Sequence, residues 1–302
     1  MSLAPIVLFV YNRPEHTRET LNALAANSLS GESDLYIYAD GPKADASAEL
    51  IAQVNETRKV IHEKRWCRQV SIVESKFNRG LANSVINGVT EVINKHGRVI
   101  VLEDDLVTHP FFLTYLNYYL MVYENEEKVI SVHGYVYPVK KKIPGPFFLR
   151  GADCWGWATW KRGWDLFEPD SKKLLDQIME GNQVREFNFK NAYDYRSLLE
   201  AQVSGQIDSW AIRWYTAAFL LNKLTLYPPV SLVYNIGHDG SGTHKDTIDQ
   251  TGRDRFNFER FDLKFIAPVE DRSAKKQVEI YLKGSNFFWR QIKQKIRSLY
   301  RK

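Results

Sequence analysis

The sequence has little cysteine and no long uncharged stretch. Only Cys67 and Cys154 occur in 302 residues. A disulfide framework and a cysteine-rich zinc site are therefore excluded, and a reducing compartment is favoured. No apolar run is long enough to predict a transmembrane helix. No basic stretch followed by an apolar one precedes Pro5, so no secretory signal is expected and the expected location is cytoplasmic. There is no internal repeat, no low-complexity segment and no linker before about residue 270. Excess charge is small: 41 basic against 36 acidic side chains gives +5. Six basic residues, Arg290, Lys293, Lys295, Arg297, Arg301 and Lys302, fall in a C-terminal stretch without acids, leaving 5 − 6 = −1 for the rest. A nucleic-acid partner is thus not expected for the body of the chain. What the sequence does have is rings. Aromatics make up 13% of it, including 8 Trp, and flat apolar faces suit sugar rings.

The first half alternates between short β-branched apolar runs and helical periodicity. Ile6–Val10, Leu35–Ala39, Val70–Val73, Arg98–Leu102 and Val129–Val132 read as strands. Between them, helices are expected from Pro14 to about Asn27, from about Ser47 to Glu63 and over 81–95. Strands separated by such helices imply right-handed crossovers and an α/β fold with a mainly parallel sheet covered on both faces. Ligands of such sheets bind beyond the carboxyl ends of the strands. The polar residues expected there are Asn12-Arg13, Asp40, Asn78-Arg79 and Glu103-Asp104-Asp105, and all four groups should face one crevice. The second half is less regular. Helices are expected near 171–180, 193–204 and 210–222, with short strands near Leu224–Tyr227 and Leu232–Tyr234. The expected organisation is one domain over 1–270, with a nucleotide-binding half (1–134) and an irregular, aromatic-rich acceptor half (135–270), then a tail over 271–302.

Glu103-Asp104-Asp105 follows Val99-Ile100-Val101-Leu102. Carboxylates ending a buried strand are costly unless paired or bound to metal. One explanation is a hard divalent cation, Mg²⁺ or Mn²⁺, shared with a diphosphate ligand; the other is a solvated acidic loop ahead of a helix. Asp40 reads as a ribose or base acceptor, or as an Asx turn before Gly41. Arg13 reads as a phosphate or base contact, or as a surface ion pair. Asn78-Arg79-Gly80, with Asn83, is either a turn or a place where backbone approaches a nucleotide. Trp155 and Trp157 flank Gly156 in a stretch too rich in glycine for a regular core element, which makes them a candidate sugar platform or core. Asp208 suits a helix N-cap or a general base. His238 and His244 lie in a glycine-rich loop that can cover a ligand, or are surface histidines.

At this point the residues resemble a known group, the GT-A glycosyltransferases, most closely the N-acetylglucosaminyltransferase I type and related bacterial family-2-like enzymes. Val7-Leu8-Phe9-Val10-Tyr11-Asn12-Arg13-Pro14 looks like their opening strand and nucleotide loop. Leu102-Glu103-Asp104-Asp105-Leu106 followed by Pro110-Phe111-Phe112 looks like a variant of their Asp-x-Asp metal motif. Gly156-Trp157 with Glu168-Pro169, Asp208-Ser209-Trp210 and the Gly240 to His244 loop resemble later elements. The likeness covers about residues 5–245. It implies a direct metal ligand in Asp105, supported by Glu103 and Asp104. It also implies nucleotide contacts from Arg13 and Asp40, a catalytic base in Asp208 and a diphosphate or donor contact from His244. Asn78, Arg79, Asn83 and Trp157 complete the expected donor site. Two departures stand out: Ser209 replaces the second Asp of the family's Asp-Asp-Trp, and Ile207 replaces its preceding Trp.

The implied function is inverting, metal-dependent transfer of a sugar from a nucleotide-sugar, most simply a UDP-sugar, to a hydroxyl of a glycan or lipid-linked acceptor, as in bacterial surface polysaccharide assembly. Phe288, Ile292, Ile296, Leu299 and Tyr300 share a face at helical spacing amid basic residues. Residues 287–302 therefore read as a peripheral contact with the inner face of a membrane, or as a helix packed on the body. Two alternatives stay open. A nucleotidyltransferase would carry a glycine-rich triphosphate loop, which Tyr11-Asn12-Arg13-Pro14 is not. A non-catalytic sugar-binding or haemolysin-like surface protein would use the tryptophans alone.

Overall fold

The computed structural model describes residues 2–237 and 260–284. Along the chain run β1 (Ile6–Val10), α1 (Pro14–Ala25), β2 (Asp34–Ala39), α2 (Ala48–His62), β3 (Gln69–Glu74), α3 (Leu81–His96) and β4 (Arg98–Glu103). Then come β5 (Leu106–Thr108), α4 (Phe112–Val122), β6 (Val129–His133), β7 (Phe147–Arg150) and β8 (Trp157–Trp160). The helices α5 (Lys161–Trp164), α6 (Ser171–Glu180), α7 (Val184–Phe187), α8 (Tyr195–Val203) and α9 (Trp210–Leu220) follow, then β9 (Leu224–Tyr227) and β10 (Val233–Asn235). A last helix, α10, covers 272–284.

Eight strands form one sheet in the order β3-β2-β1-β4-β8-β6-β9-β7. The first four are parallel, and β6 pairs parallel with β9; β8 and β7 run the other way. The expected α/β class with a mainly parallel sheet is what the chain adopts. The residues explain it. In β1 all five side chains are buried, because period-2 alternation sends Ile6, Leu8 and Val10 to one covered face and Val7 and Phe9 to the other. The first face meets α1, α2 and α4; the second meets α3, α5 and α9. Pro14 sits in the first turn of α1, where its missing N–H costs no bond. Gly97 ends α3 in the left-handed region at φ 77°, and its N–H donates to Ile93 O.

A second cluster fills the space between β7 and helices α6–α9, with Phe187, Leu199, Ile212 and Phe219 at its centre. Ala274, Val278 and Leu282 of α10 are buried in it. Glu270 accepts from Arg150 N, and Asp271 N donates to Phe148 O, so the backbone is stitched to β7 as α10 begins. The packed structure thus continues through residue 284, past the expected start of a tail at 271. Residues 287–302 lie outside the described residues, as do His238, Gly240 and His244. No helix among the described residues is long and apolar enough to cross a membrane.

Two expectations about tryptophans are corrected. Trp157-Ala158-Thr159-Trp160 is not irregular but a fully buried strand between β4 and β6. Trp157 has no exposed surface, so it presents no face to a sugar. Its ring packs on Trp164, Trp210 and Trp214 at centroid distances of 5.3–5.7 Å within that group.

Candidate functional site

Because β3, β2, β1 and β4 are adjacent and parallel, the segments after them meet at one edge. Arg13 follows β1 and Asp40 follows β2. Asn78 and Arg79 follow β3, and Asp104 and Asp105 follow β4, whose last residue is Glu103. The edge holds two groups with different jobs.

The first is acidic. β4 ends in a turn whose carbonyl at Asp104 accepts from the Thr20 hydroxyl of α1 at 2.9 Å. Both carboxylate oxygens of Asp104 face the Arg13 guanidinium, which also reaches Asp105 Oδ2 at 3.0 Å. Glu103 continues the Val99–Val101 face of β4, the face that α9 covers. Burial, then the charges of Asp105 and Asp104, push the Glu103 carboxyl up to about 8. Burial raises Asp104 to about 6, against the pull of Arg13. Burial opposes the Arg13 charge, but Asp104 and Asp105 outweigh it and hold the guanidinium protonated. Three carboxyl groups crowd one cation, and burial with mutual repulsion resists their ionisation, so an added positive charge here is favoured.

The short ladder of β5 with β10 brings the chain back over this turn, with Ile236 N donating to Asp105 O at 2.9 Å. Gly237 then crosses the acidic group. A Cβ there would lie 2.3 Å from Asp105 Oδ2 and 2.9 Å from Arg13 Nη1, so only glycine leaves both side chains where they are. The sequence reading missed Gly237; nothing in a lone glycine signals such an approach.

The second group is a staple. Asp40 is buried, and its carboxylate accepts from the backbone N–H groups of Gly41, Arg79 and Gly80 and from Asn78 Nδ2, at 2.8–3.1 Å. That is a full set for one carboxylate, so the expected ribose or base contact from Asp40 has no acceptor left. Asn78 spends its second amide hydrogen on Gly41 O. Arg79 and Asn83 are exposed, and Asn83 bonds back to Arg79 O. The staple ties the β3–α3 loop to the end of β2.

Asp208 does not cap α9. Ser209 does, accepting from Ile212 N. Asp208 stands just outside the helix, more than half exposed, 3.0 Å from Arg213 Nη2. Trp210, two residues on, stacks on Trp157 at 5.4 Å, and Trp157 pairs with Val101, two residues before Glu103. The tryptophan cluster therefore braces the start of α9 to the acidic strand.

Whether these residues suit a metal follows from their donors. Among the described residues no group of three His, Cys, Asp or Glu side chains is arranged to hold an ion. All the donors present are carboxylate oxygens, and Arg13 engages only one oxygen of Asp105. That set fits Mg²⁺ or Mn²⁺ taking one or two protein ligands and completing its shell with water and phosphate oxygens. It does not fit a cation needing an all-protein cage.

No protein-family model matches the chain, and no curated protein matches it. Among solved structures, a UDP-glucose pyrophosphorylase complexed with UDP-glucose aligns at 14% identity and TM-score 0.29, over 58% of this chain and 80% of that one. S. aureus TarS aligns at 11% identity and TM-score 0.38, over 78% of this chain and 37% of that one. Mouse xyloside xylosyltransferase 1 aligns at 10% identity and TM-score 0.34, over 72% and 81%. At these levels the likenesses carry no functional weight, and the fold class rests on the sheet itself.

Proposed function

We propose that the chain is a glycosyltransferase of the GT-A kind, binding a nucleotide-sugar at the edge formed by β3, β2, β1 and β4. The observation that carries this reading is the acidic turn Glu103-Asp104-Asp105 at the end of a central parallel strand, clamped by Arg13 and overlaid by Gly237. Asp105 would hold a divalent cation, with Glu103 beside it. When bound, that cation supplies charge neutralisation for the diphosphate as it leaves. Asp208 would take the proton from an acceptor hydroxyl while its oxygen attacks the anomeric carbon. The bond from that carbon to the diphosphate breaks in the same displacement, which inverts the anomeric configuration. What supports this role is the bracing of the start of α9: Trp210, two residues after Asp208, stacks on Trp157, which pairs with Val101 of the acidic strand.

A UDP-sugar donor, a glycan or lipid-linked acceptor, a part in bacterial surface polysaccharide assembly and a membrane contact through residues 287–302 complete the proposal. The purely sugar-binding alternative loses Trp157 to the core but keeps Trp155, which is only partly buried; it gives no role to the acidic turn. The test is release of nucleoside diphosphate from UDP- and GDP-sugars with Mn²⁺ and a mixed saccharide acceptor pool. Asp208→Asn should lower turnover by about 10²–10⁴ while leaving nucleotide binding nearly intact. Unchanged turnover would remove Asp208 from the mechanism.

A further inference from the structure

The acceptor half holds a carboxylate set among rings that the donor site does not use. Asp153 lies where the chain returns from β7 to β8. Its Oδ2 accepts from the hydroxyls of Tyr137, at 2.9 Å, and Tyr227, at 3.1 Å. Burial, with the Asp153 charge adding to it, raises both phenols well above their ordinary value, so both keep their protons and donate. Tyr215 and Tyr227 are buried behind the carboxylate, whereas Asp153, Tyr137, Tyr135 and Trp155 are half-buried.

The rings of Tyr135 and Trp155 meet edge to face at 4.7 Å, and Tyr135 meets Tyr137 at 5.5 Å. Trp155 is fixed from behind. Its backbone N–H donates to Nε2 of His133 at 2.9 Å, a buried imidazole that burial depresses to about 4 and so keeps neutral. The residue between Asp153 and Trp155 is Cys154, whose thiol is raised well above its ordinary value first by burial and then by Glu103, Asp153 and Asp105. Trp157, which follows this segment, pairs with Val101 of β4, two residues before Glu103, so the segment 153–155 enters the sheet beside the acidic strand end.

A carboxylate held by two phenols beside partly buried rings is chemistry that suits a saccharide. C–H faces lie on the rings while neighbouring hydroxyls donate to the carboxylate. We propose that Asp153, Tyr135, Tyr137 and Trp155 form a saccharide subsite for the acceptor, bordering the donor site through Cys154. The Asp153 carboxylate repels uronic acids and so selects neutral sugars. The word acceptor rests on the glycosyltransferase reading; saccharide binding does not. Of Trp155 and Trp157, both expected as a platform, Trp155 alone keeps exposed surface.

The test uses the full chain without nucleotide on an array of neutral and uronic-acid oligosaccharides. The best neutral binder is then titrated by calorimetry against wild type, Asp153→Asn, Tyr137→Phe and Trp155→Ala. UDP with Mn²⁺ is titrated into each protein separately. Neutral oligosaccharides should bind in preference to acidic ones, and Asp153→Asn and Trp155→Ala should each weaken binding about tenfold or more. Should Asp153→Asn fail to fold, Tyr137→Phe and Trp155→Ala decide, since both leave the carboxylate in place. Wild type that binds UDP but no saccharide, or variants that bind saccharide as wild type does, would overturn the subsite. Saccharide binding without UDP binding would uphold the subsite and overturn the glycosyltransferase reading instead.

Discussion

Asp40 shows how one carboxylate at a strand end serves architecture. Three backbone N–H groups and one amide converge on it. Asp40→Ala would leave those donors without partners, at about 1–3 kcal/mol for each group that stays buried. The expected loss, followed by urea unfolding, is about 2–4 kcal/mol after partial rehydration. A variant as stable as wild type but poor at binding nucleotide would restore the direct contact that the sequence suggested. The acidic triplet was legible because three carboxylates after four buried aliphatic residues have few explanations. The saturation of Asp40 was not, because backbone N–H groups carry no sequence signature. Asp153 was missed for a similar reason: its tyrosine partners lie 16 and 74 residues away.

The tryptophan cluster works at the scale of elements. Trp157 on β8, Trp164 on α5, and Trp210 and Trp214 on α9 pack together across one face of the sheet. Trp157→Ala should therefore cost about 3–5 kcal/mol in chemical denaturation. A drop in sugar binding with no loss of stability would instead make Trp157 a platform. The strands β1 to β4 and helices α1 to α3 were legible because aliphatic runs and helical periodicity alternate there without ambiguity. β8 was not, because Gly156 and two tryptophans in four positions imitate an irregular loop. The helix α4 was hidden for the opposite reason. Its outer side carries Tyr118, Met121 and Val122 as well as Thr114 and Asn117, so no clear polar face marks the period. Neither β7 nor α10 was foreseen: the first is four residues long, and the second packs where a charged tail was expected.

Across the whole molecule, one edge of the sheet gathers the proposed chemistry while the helical second half supplies a wall of tyrosines. His133 links the two, and its burial makes stability depend on pH. The unfolded chain takes up a proton on this imidazole below about 6.5, and the folded chain only near 4. Stability should therefore fall as pH drops from about 6.5 towards 4, by on the order of 3 kcal/mol from this group alone. His133→Gln, whose side-chain oxygen can accept from Trp155 N, should flatten the acid limb of melting temperature against pH. An unchanged limb would show that other groups govern it. The most direct test of the account is calorimetric titration of UDP and GDP, each with and without Mn²⁺, into wild type and Asp105→Ala. Metal-dependent binding of one nucleotide, lost in Asp105→Ala, is the predicted result. Absence of nucleotide binding to wild type, or metal-dependent binding that survives in Asp105→Ala, would contradict it.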